Sequence, residues 1–201
     1  MTMIDWHKIL LEHKVTWTYP GYGPHAIFSL NNNHSDFYIN SDYLAHNQSL
    51  IREISRSLFN IVNKKMTINP DWVLTYPPFG LHIGLCLAEL FNCKFGYIQS
   101  VQKPEIHLDL KVDETALLCA DDIISGTSIK KVINAASNKG AKVLDTIAVI
   151  ANLSGKQTFT DRLIISLIEQ EVNIWEPADC LLCASGSPAL PARENWLQLA
   201  R

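Results

Sequence analysis

The chain has no apolar run approaching the ~20 residues that a membrane-spanning helix needs, and it has no cluster of lysine or arginine. The first absence excludes a helical membrane protein. The second, with a net charge of −3, argues against nucleic acid as the main partner. Internal repeats and low-complexity segments are also missing. The opening stretch MTMIDWHKILLEHK carries acids early and lacks a continuous apolar core, so it does not read as a secretory signal. Cysteine is sparse, with five residues at 86, 93, 119, 180 and 183. Cys119 falls in a predicted strand and Cys86 on an apolar helix face, the usage of a reduced protein, so a cytoplasmic location is expected.

What the chain has in quantity is apolar surface. Hydrophobic residues make up 47% of 201 residues, enough for the core of one α/β domain and too much for disorder. Apolar spacing predicts helices over 3–14, over 48–64 (with Leu50, Ile51, Ile54, Leu58 and Ile61 as the buried stripe) and over 81–91. Strands are predicted over 25–30, 37–43, 72–76, 95–99, 116–120 and 143–150. Strands alternating with helices imply an open, mainly parallel twisted sheet with right-handed crossovers, which binds its ligand at the carboxyl ends of the strands. The tail from about residue 173, rich in Pro, Ala and Ser, reads as loops.

One segment carries chemistry. Residues 116–129 read ALLCADDIISGTSI: a buried strand, two adjacent acids at its end, then a Ser-Gly-Thr-Ser turn opening a helix. Along that helix Ile129, Val132, Ile133 and Ala136 form one apolar stripe. Backbone N–H groups at the helix start favour a phosphate, and the carboxylates of Asp121 and Asp122 can accept from sugar hydroxyls or lie near a cation. Phosphate beside sugar points to a phosphorylated ribose. The plain alternative is a solvated acid pair followed by ordinary turn chemistry.

ADDIISGTSI resembles the phosphoribosyl-pyrophosphate motif of the type I phosphoribosyltransferases. HAIFSLNNNHSDFYINSDYL resembles the N-terminal signature of the orotate phosphoribosyltransferases, a Phe-x-Leu followed by Ser-x-x-Tyr-x-Asn. ADCLLCASGSPALP is similar to a Cys-x-x-Cys ending found in some members of that family. The pieces stand in the family's order over roughly residues 20–190.

The resemblance implies one phosphoribosyltransferase-like domain, with 46–172 as the core sheet and 1–45 plus 173–201 as a small hood on the base side. It implies transfer of the phosphoribosyl group of phosphoribosyl pyrophosphate to orotate, with Mg²⁺ bound to the diphosphate and a homodimer as the working form. Asp121 and Asp122 would then hold the ribose hydroxyls, and Ser125, Gly126, Thr127 and Ser128 the 5′-phosphate. Thr75 and Tyr76 would lead into the pyrophosphate turn. Phe28 would lie along the base with Tyr38 nearby, and Lys103 and His107 would sit on a closing catalytic loop.

The chain departs from the family pattern at several points. The phosphate loop, Ile124-Ser125-Gly126-Thr127, is one residue short. The pyrophosphate turn reads Thr75-Tyr76-Pro77-Pro78-Phe79-Gly80 in place of small residues, and its prolines lack N–H donors. One of the two X–Pro bonds in that turn is predicted to be cis. No glycine lies between 100 and 114, Gln99 stands where an arginine is usual, and 31–33 replace a Ser-Gly. These departures keep two alternatives in play: transfer to another base, or a non-catalytic homologue that binds phosphoribosyl pyrophosphate or a nucleotide. As residues, His34 and Tyr38 also read as turn and strand packing. Cys180 and Cys183 have no second Cys or His pair near them in sequence, so no metal site is expected.

Overall fold

Six strands of one sheet run in the order Lys94–Tyr97, Trp72–Thr75, Thr115–Ile123, Lys142–Asn152, Arg162–Glu169 and Thr158–Phe159. All neighbours pair parallel except the last two, which are antiparallel. This is the α/β architecture with a mainly parallel sheet that the alternation predicted. The computed structural model describes residues 4–28, 32–78, 80–98 and 109–201.

A parallel sheet covered on both faces must be apolar on both, and the central strands are. Leu74, Leu118, Ala120, Ile147 and Val149 share one core cluster with Ile129, Val132, Ala135 and Ala136 of the helix Thr127–Asn138. Val73, Leu117, Cys119, Ala148 and Ile150 alternate with them, point to the opposite face and are sealed from solvent. The helices Gln48–Lys65 and Leu81–Phe91 pack on the sheet and on each other, with the Phe59 and Phe91 rings 4.6 Å apart. In the first of these the buried stripe is Leu50, Ile51, Ile54, Leu58 and Val62, whereas Ile61 is 39% exposed. The stripe continues from Leu58 by four residues, not three, and Val62 takes the inward place.

Other elements are reported as they differ from expectation. The first helix is Trp6–Glu12, the strand expected over 37–43 stops at Ile39, and a short helix Ser41–Leu44 follows. The strand Arg162–Glu169 was not anticipated. Nor is the tail only loops: Ile174–Trp175 and Ala189–Pro191 are strands, and Leu181–Ala184 and Trp196–Leu199 are short helices. Backbone pairing with the N-terminal strands orders this Pro- and Ser-rich segment, which local propensity does not anticipate.

Two compact units result, 44–170 with the six-stranded sheet, and 1–43 with 171–201. The second joins both ends of the chain. Its four-stranded sheet runs Ile174–Trp175, His34–Ser35, His25–Ile27, Ala189–Pro191, beside a two-stranded pair of Thr16–Thr18 with Phe37–Ile39. Trp17, Ala26, Tyr38, Ala192, Trp196 and Leu199 form its buried cluster.

At the amino ends of the central strands the sheet is cross-linked. The Trp72 indole N–H donates to Glu114 at 2.7 Å, Lys94 bonds the other carboxylate oxygen at 2.7 Å, and the Lys111 N–H donates at 2.8 Å. Lys94 first, then the Lys111 amide and Trp72, hold the Glu114 carboxyl down at about 2 against an ordinary 4.5. A depressed acid stabilises the fold above its unfolded value, and that support is lost as pH falls through the folded value. Urea unfolding between pH 5 and pH 2 is therefore expected to show Glu114→Gln less stable than wild type at the upper end, with the two converging as pH falls. Parallel curves across that window would contradict the assignment.

Candidate phosphate and ribose site

The strand Thr115–Ile123 runs three residues past the predicted end, so Asp121 and Asp122 are part of it and lie at its carboxyl end, not in a loop. Asp122 pairs with Ala151 and Ile123 with Asn152 on the neighbouring strand. Asp121 is buried, and one of its oxygens accepts the Asp122 backbone N–H at 3.0 Å. Burial first, and the Asp121 charge second, push the Asp122 carboxyl well above the usual carboxylate range. Two adjacent acids in a partly desolvated place resist sharing their negative charge. Hydroxyl donors or a cation would relieve them. Cys119, sealed below, has its thiol pushed up by burial and by Asp121, so it stays protonated and is no nucleophile.

Three residues past the strand end, the chain turns at Gly126 (φ +73°), the residue before the helix Thr127–Asn138. A Cβ there would meet the Phe159 ring at 2.2 Å, so the position has room only for glycine. Gly126 offers the helix no side-chain cap. The Ser125 and Thr127 hydroxyls lie 3.0 Å apart, both exposed, and Ser128 follows in the first turn. The result is a helix N-terminus with backbone donors and hydroxyls beside a carboxylate pair.

A second turn closes on the same strand end. Thr75 ends its strand fully buried, Tyr76 follows, and the Pro77–Pro78 peptide is cis. Gly80 (φ +73°) presses so close that a Cβ would lie 2.7 Å from the Thr75 hydroxyl and 2.9 Å from the Ala120 Cα. Ala120 precedes Asp121, so this turn and the acid pair share one end of the sheet. Lys131, one helical turn beyond Thr127, lies over the Tyr76 ring at 5.3 Å and reaches its hydroxyl at 3.5 Å. Sequence reading missed this cation, because its partner Tyr76 is 55 residues away in the chain.

Phe28 and Tyr38 belong to the terminal unit, their ring centroids 5.4 Å apart, and Tyr38 also packs on Trp196 at 5.8 Å. Tyr38 is thus a core aromatic of that unit. Lys103 and His107, with Gln99 and Phe79, lie outside the described residues. A cavity of about 300 Å³ is lined by Ile27, Asn32, His34, Pro177, Pro191 and Glu194, none from the acid-pair loop. The expectation of no metal site rested on distance along the chain. In space, Cys180 and Cys183 do have a histidine pair beside them, His25 and His34.

No protein-family model matches the chain. Orotate phosphoribosyltransferase from Heliobacterium modesticaldum is 23% identical over 163 residues, 78% of this chain and 83% of that protein. The crystal structure of orotate phosphoribosyltransferase from Aeropyrum pernix superposes with a TM-score of 0.67 at 18% identity, covering 82% of this chain and 93% of that one. In sequence the chain is similar, at low identity, to orotate phosphoribosyltransferases, and its fold is that of the phosphoribosyltransferase structures. The phosphoribosyltransferase fold extends to a second kind of neighbour. The adenine phosphoribosyltransferase of Trypanosoma brucei, solved with AMP, pyrophosphate and ribose-5-phosphate, superposes with a TM-score of 0.61 at 17% identity over 82% of this chain and 79% of that one. Among the described residues no helix is long and apolar enough to cross a membrane.

The raised Asp122 carboxyl has a consequence for stability. A carboxyl whose folded value is raised weakens the fold above its ordinary value of 3.8, and protonation at low pH removes that cost. Asp122→Asn is therefore expected to melt higher than wild type at pH 7, by about 2–4 °C for each kcal/mol recovered, and to match it near pH 3. A lower melting point at pH 7 would show the carboxylate to be satisfied in the free protein.

Proposed function

We propose that this phosphoribosyltransferase relative binds phosphoribosyl pyrophosphate at the acid-pair loop and transfers its phosphoribosyl group to orotate, releasing pyrophosphate. One observation carries the reading: a carboxylate pair at the carboxyl end of the central parallel strand runs directly into a glycine turn and a helix start with no side-chain cap. Asp121 and Asp122 accept hydrogen bonds from the ribose 2′- and 3′-hydroxyls and fix the ring. The Ser125–Ser128 hydroxyls and N–H groups hold the 5′-phosphate. The turn that ends at Gly80 lies towards the diphosphate, with Lys131 as the cation at hand.

A nitrogen of the base bonds to ribose C1 as the C1–O bond to pyrophosphate breaks. The sugar passes through an oxocarbenium-like state, so the protein contributes position, charge for the leaving group and exclusion of water. Mg²⁺ arriving with the diphosphate would neutralise its charge, and the strained acid pair is a donor set that fits a dication nearby. Lys103 and His107 are the proposed loop residues that contact the leaving group, Phe28 the proposed platform for the base, and a homodimer the proposed assembly; these roles rest on the resemblance.

A second reading is binding without turnover. It is favoured by Pro77 and Pro78, which leave the pyrophosphate turn without two backbone donors.

Calorimetric titration with phosphoribosyl pyrophosphate and Mg²⁺, followed by orotate consumption on the same sample, separates these. Binding and turnover are both expected. In Asp121→Asn/Asp122→Asn two charge-assisted hydrogen bonds of about 1.5–3 kcal/mol each are weakened, so affinity is expected to fall about 100-fold or more. Binding without turnover on orotate would overturn the orotate assignment, and a panel of other bases would then tell a different transferase from a binder. Absence of binding would overturn the site itself.

A further inference from the structure

His25 and His34 sit on paired antiparallel strands, where Ala26 faces Ser35 and Ile27 faces His34. Cys180 caps the short helix Leu181–Ala184 and Cys183 lies within it, and this helix leads into Ala189–Pro191, the strand paired parallel to His25–Ile27. The two ends of the chain thereby deliver four soft or borderline donor atoms, all within 4.8 Å of one another. His25 Nε2 lies 2.9 Å from His34 Nδ1. Cys180 Sγ is 3.5 Å from His25 Nε2, and Cys183 Sγ is 3.6 Å from His25 Nε2 and 3.3 Å from His34 Nδ1.

These separations have a meaning in coordination geometry. A tetrahedral zinc ion with its usual bond lengths sets nitrogen–nitrogen edges of about 3.3 Å, nitrogen–sulfur edges of about 3.6 Å and sulfur–sulfur edges of about 3.8 Å. The three nitrogen–sulfur distances fall within about 0.3 Å of that figure, and the nitrogen pair needs to open by about 0.4 Å. We propose that His25, His34, Cys180 and Cys183 form a structural Cys₂His₂ zinc site that ties the two ends of the chain into one unit.

The surroundings are those of a built site. His25 Nδ1 is 2.8 Å from the Ser187 hydroxyl, which in turn donates to the Gly23 carbonyl at 2.8 Å. With Ser187 donating onward, it accepts from the His25 Nδ1–H and so leaves the Nε2 lone pair facing the cluster. This is the outer support that zinc-bound histidines carry. The Cys183 N–H points at Cys180 Sγ at 3.4 Å, which would stabilise a thiolate there, and Gly186 (φ +87°) turns the chain just beyond. His25, His34 and Cys180 are buried, while Cys183 is exposed and gives a metal its way in. Mixed N₂S₂ donors at tetrahedral spacing favour zinc over the harder cations. All four positions are filled by the protein, which marks the site as structural rather than catalytic. The unit is formed from distant chain segments joined by strand pairing, and a metal would close the same long loop with four further bonds.

The test uses the whole chain, fully reduced and freed of metal under denaturant, then refolded with Zn²⁺ or with Co²⁺. Elemental analysis is expected to give one zinc per chain. The cobalt form is expected to show the intense visible bands of tetrahedral cobalt and a thiolate charge-transfer band. Cys183→Ser, altering the exposed ligand, is expected to lose the charge-transfer intensity in part. Cys180→Ser/Cys183→Ser is expected to lose stoichiometric zinc. Chelation is expected to lower the melting temperature of wild type and leave that of the double variant unchanged. Failure of the reduced wild type to take up either ion, octahedral cobalt spectra, or zinc retained by the double variant would each overturn the proposal. These readouts use wild type as well as variants, so a variant that fails to fold does not shelter the idea, and none depends on phosphoribosyl pyrophosphate.

Discussion

Two neighbouring carboxylates at the end of a strand otherwise sealed in the core are the constraint around which the sheet's active end is arranged. Asp121 and Asp122 cannot both be ionised there without cost, and burial already holds the second above its ordinary range. A fold keeps such an unfavourable pair where something outside the protein relieves it. Gly80 brings its turn against Ala120 beside the acids, and Phe159 leaves Gly126 no room for a side chain. The helix that follows starts without a side-chain cap.

The two ends of the sheet are built on opposite principles. At the amino ends, Glu114 joins Trp72, Lys94 and Lys111, and Asp71 is bonded to Thr115 by both its amide and its hydroxyl. Polar groups there are paired within the protein and serve cohesion. At the carboxyl ends two acids stand side by side, and that is the end at which open α/β sheets place their ligands. Lys131 belongs to this second set: resting on the Tyr76 ring keeps a cation near the loop without neutralising the acid pair.

Four strands of the core sheet were legible because their signals are local, whereas Arg162–Glu169 and Thr158–Phe159 were not anticipated. An apolar run of a few residues between turn residues marks a parallel strand, and the stripe of a long helix marks its buried face, with an error of one residue at Ile61 against Val62. The acid pair and phosphate loop were legible for the same reason, since strand, acids, glycine and helix follow one another in sequence. In the terminal unit the helix Trp6–Glu12 and the strands His25–Ile27 and Phe37–Ile39 were legible in longer form, and the tail was not. Its strands are two or three residues long and exist because distant segments pair, as Ala189–Pro191 does with His25–Ile27. The histidine–cysteine cluster shows the same limit most sharply: the His25/His34 pair and the Cys180/Cys183 pair lie so far apart along the chain that no spacing joins them. Lys131 was overlooked for a different reason, because a lysine on a helix surface carries no signal until the Tyr76 ring is seen beneath it.

The central claim is that a phosphorylated sugar sits between the acid pair and the helix start, and amide chemical shifts report that directly. Phosphoribosyl pyrophosphate with Mg²⁺, titrated into the ¹⁵N-labelled chain, should shift the amides of Ser125, Gly126, Thr127, Ser128 and Asp122 most. Ribose 5-phosphate should reproduce the shifts in the loop. Shifts confined to other parts of the sheet, or none at the helix start, would contradict the account.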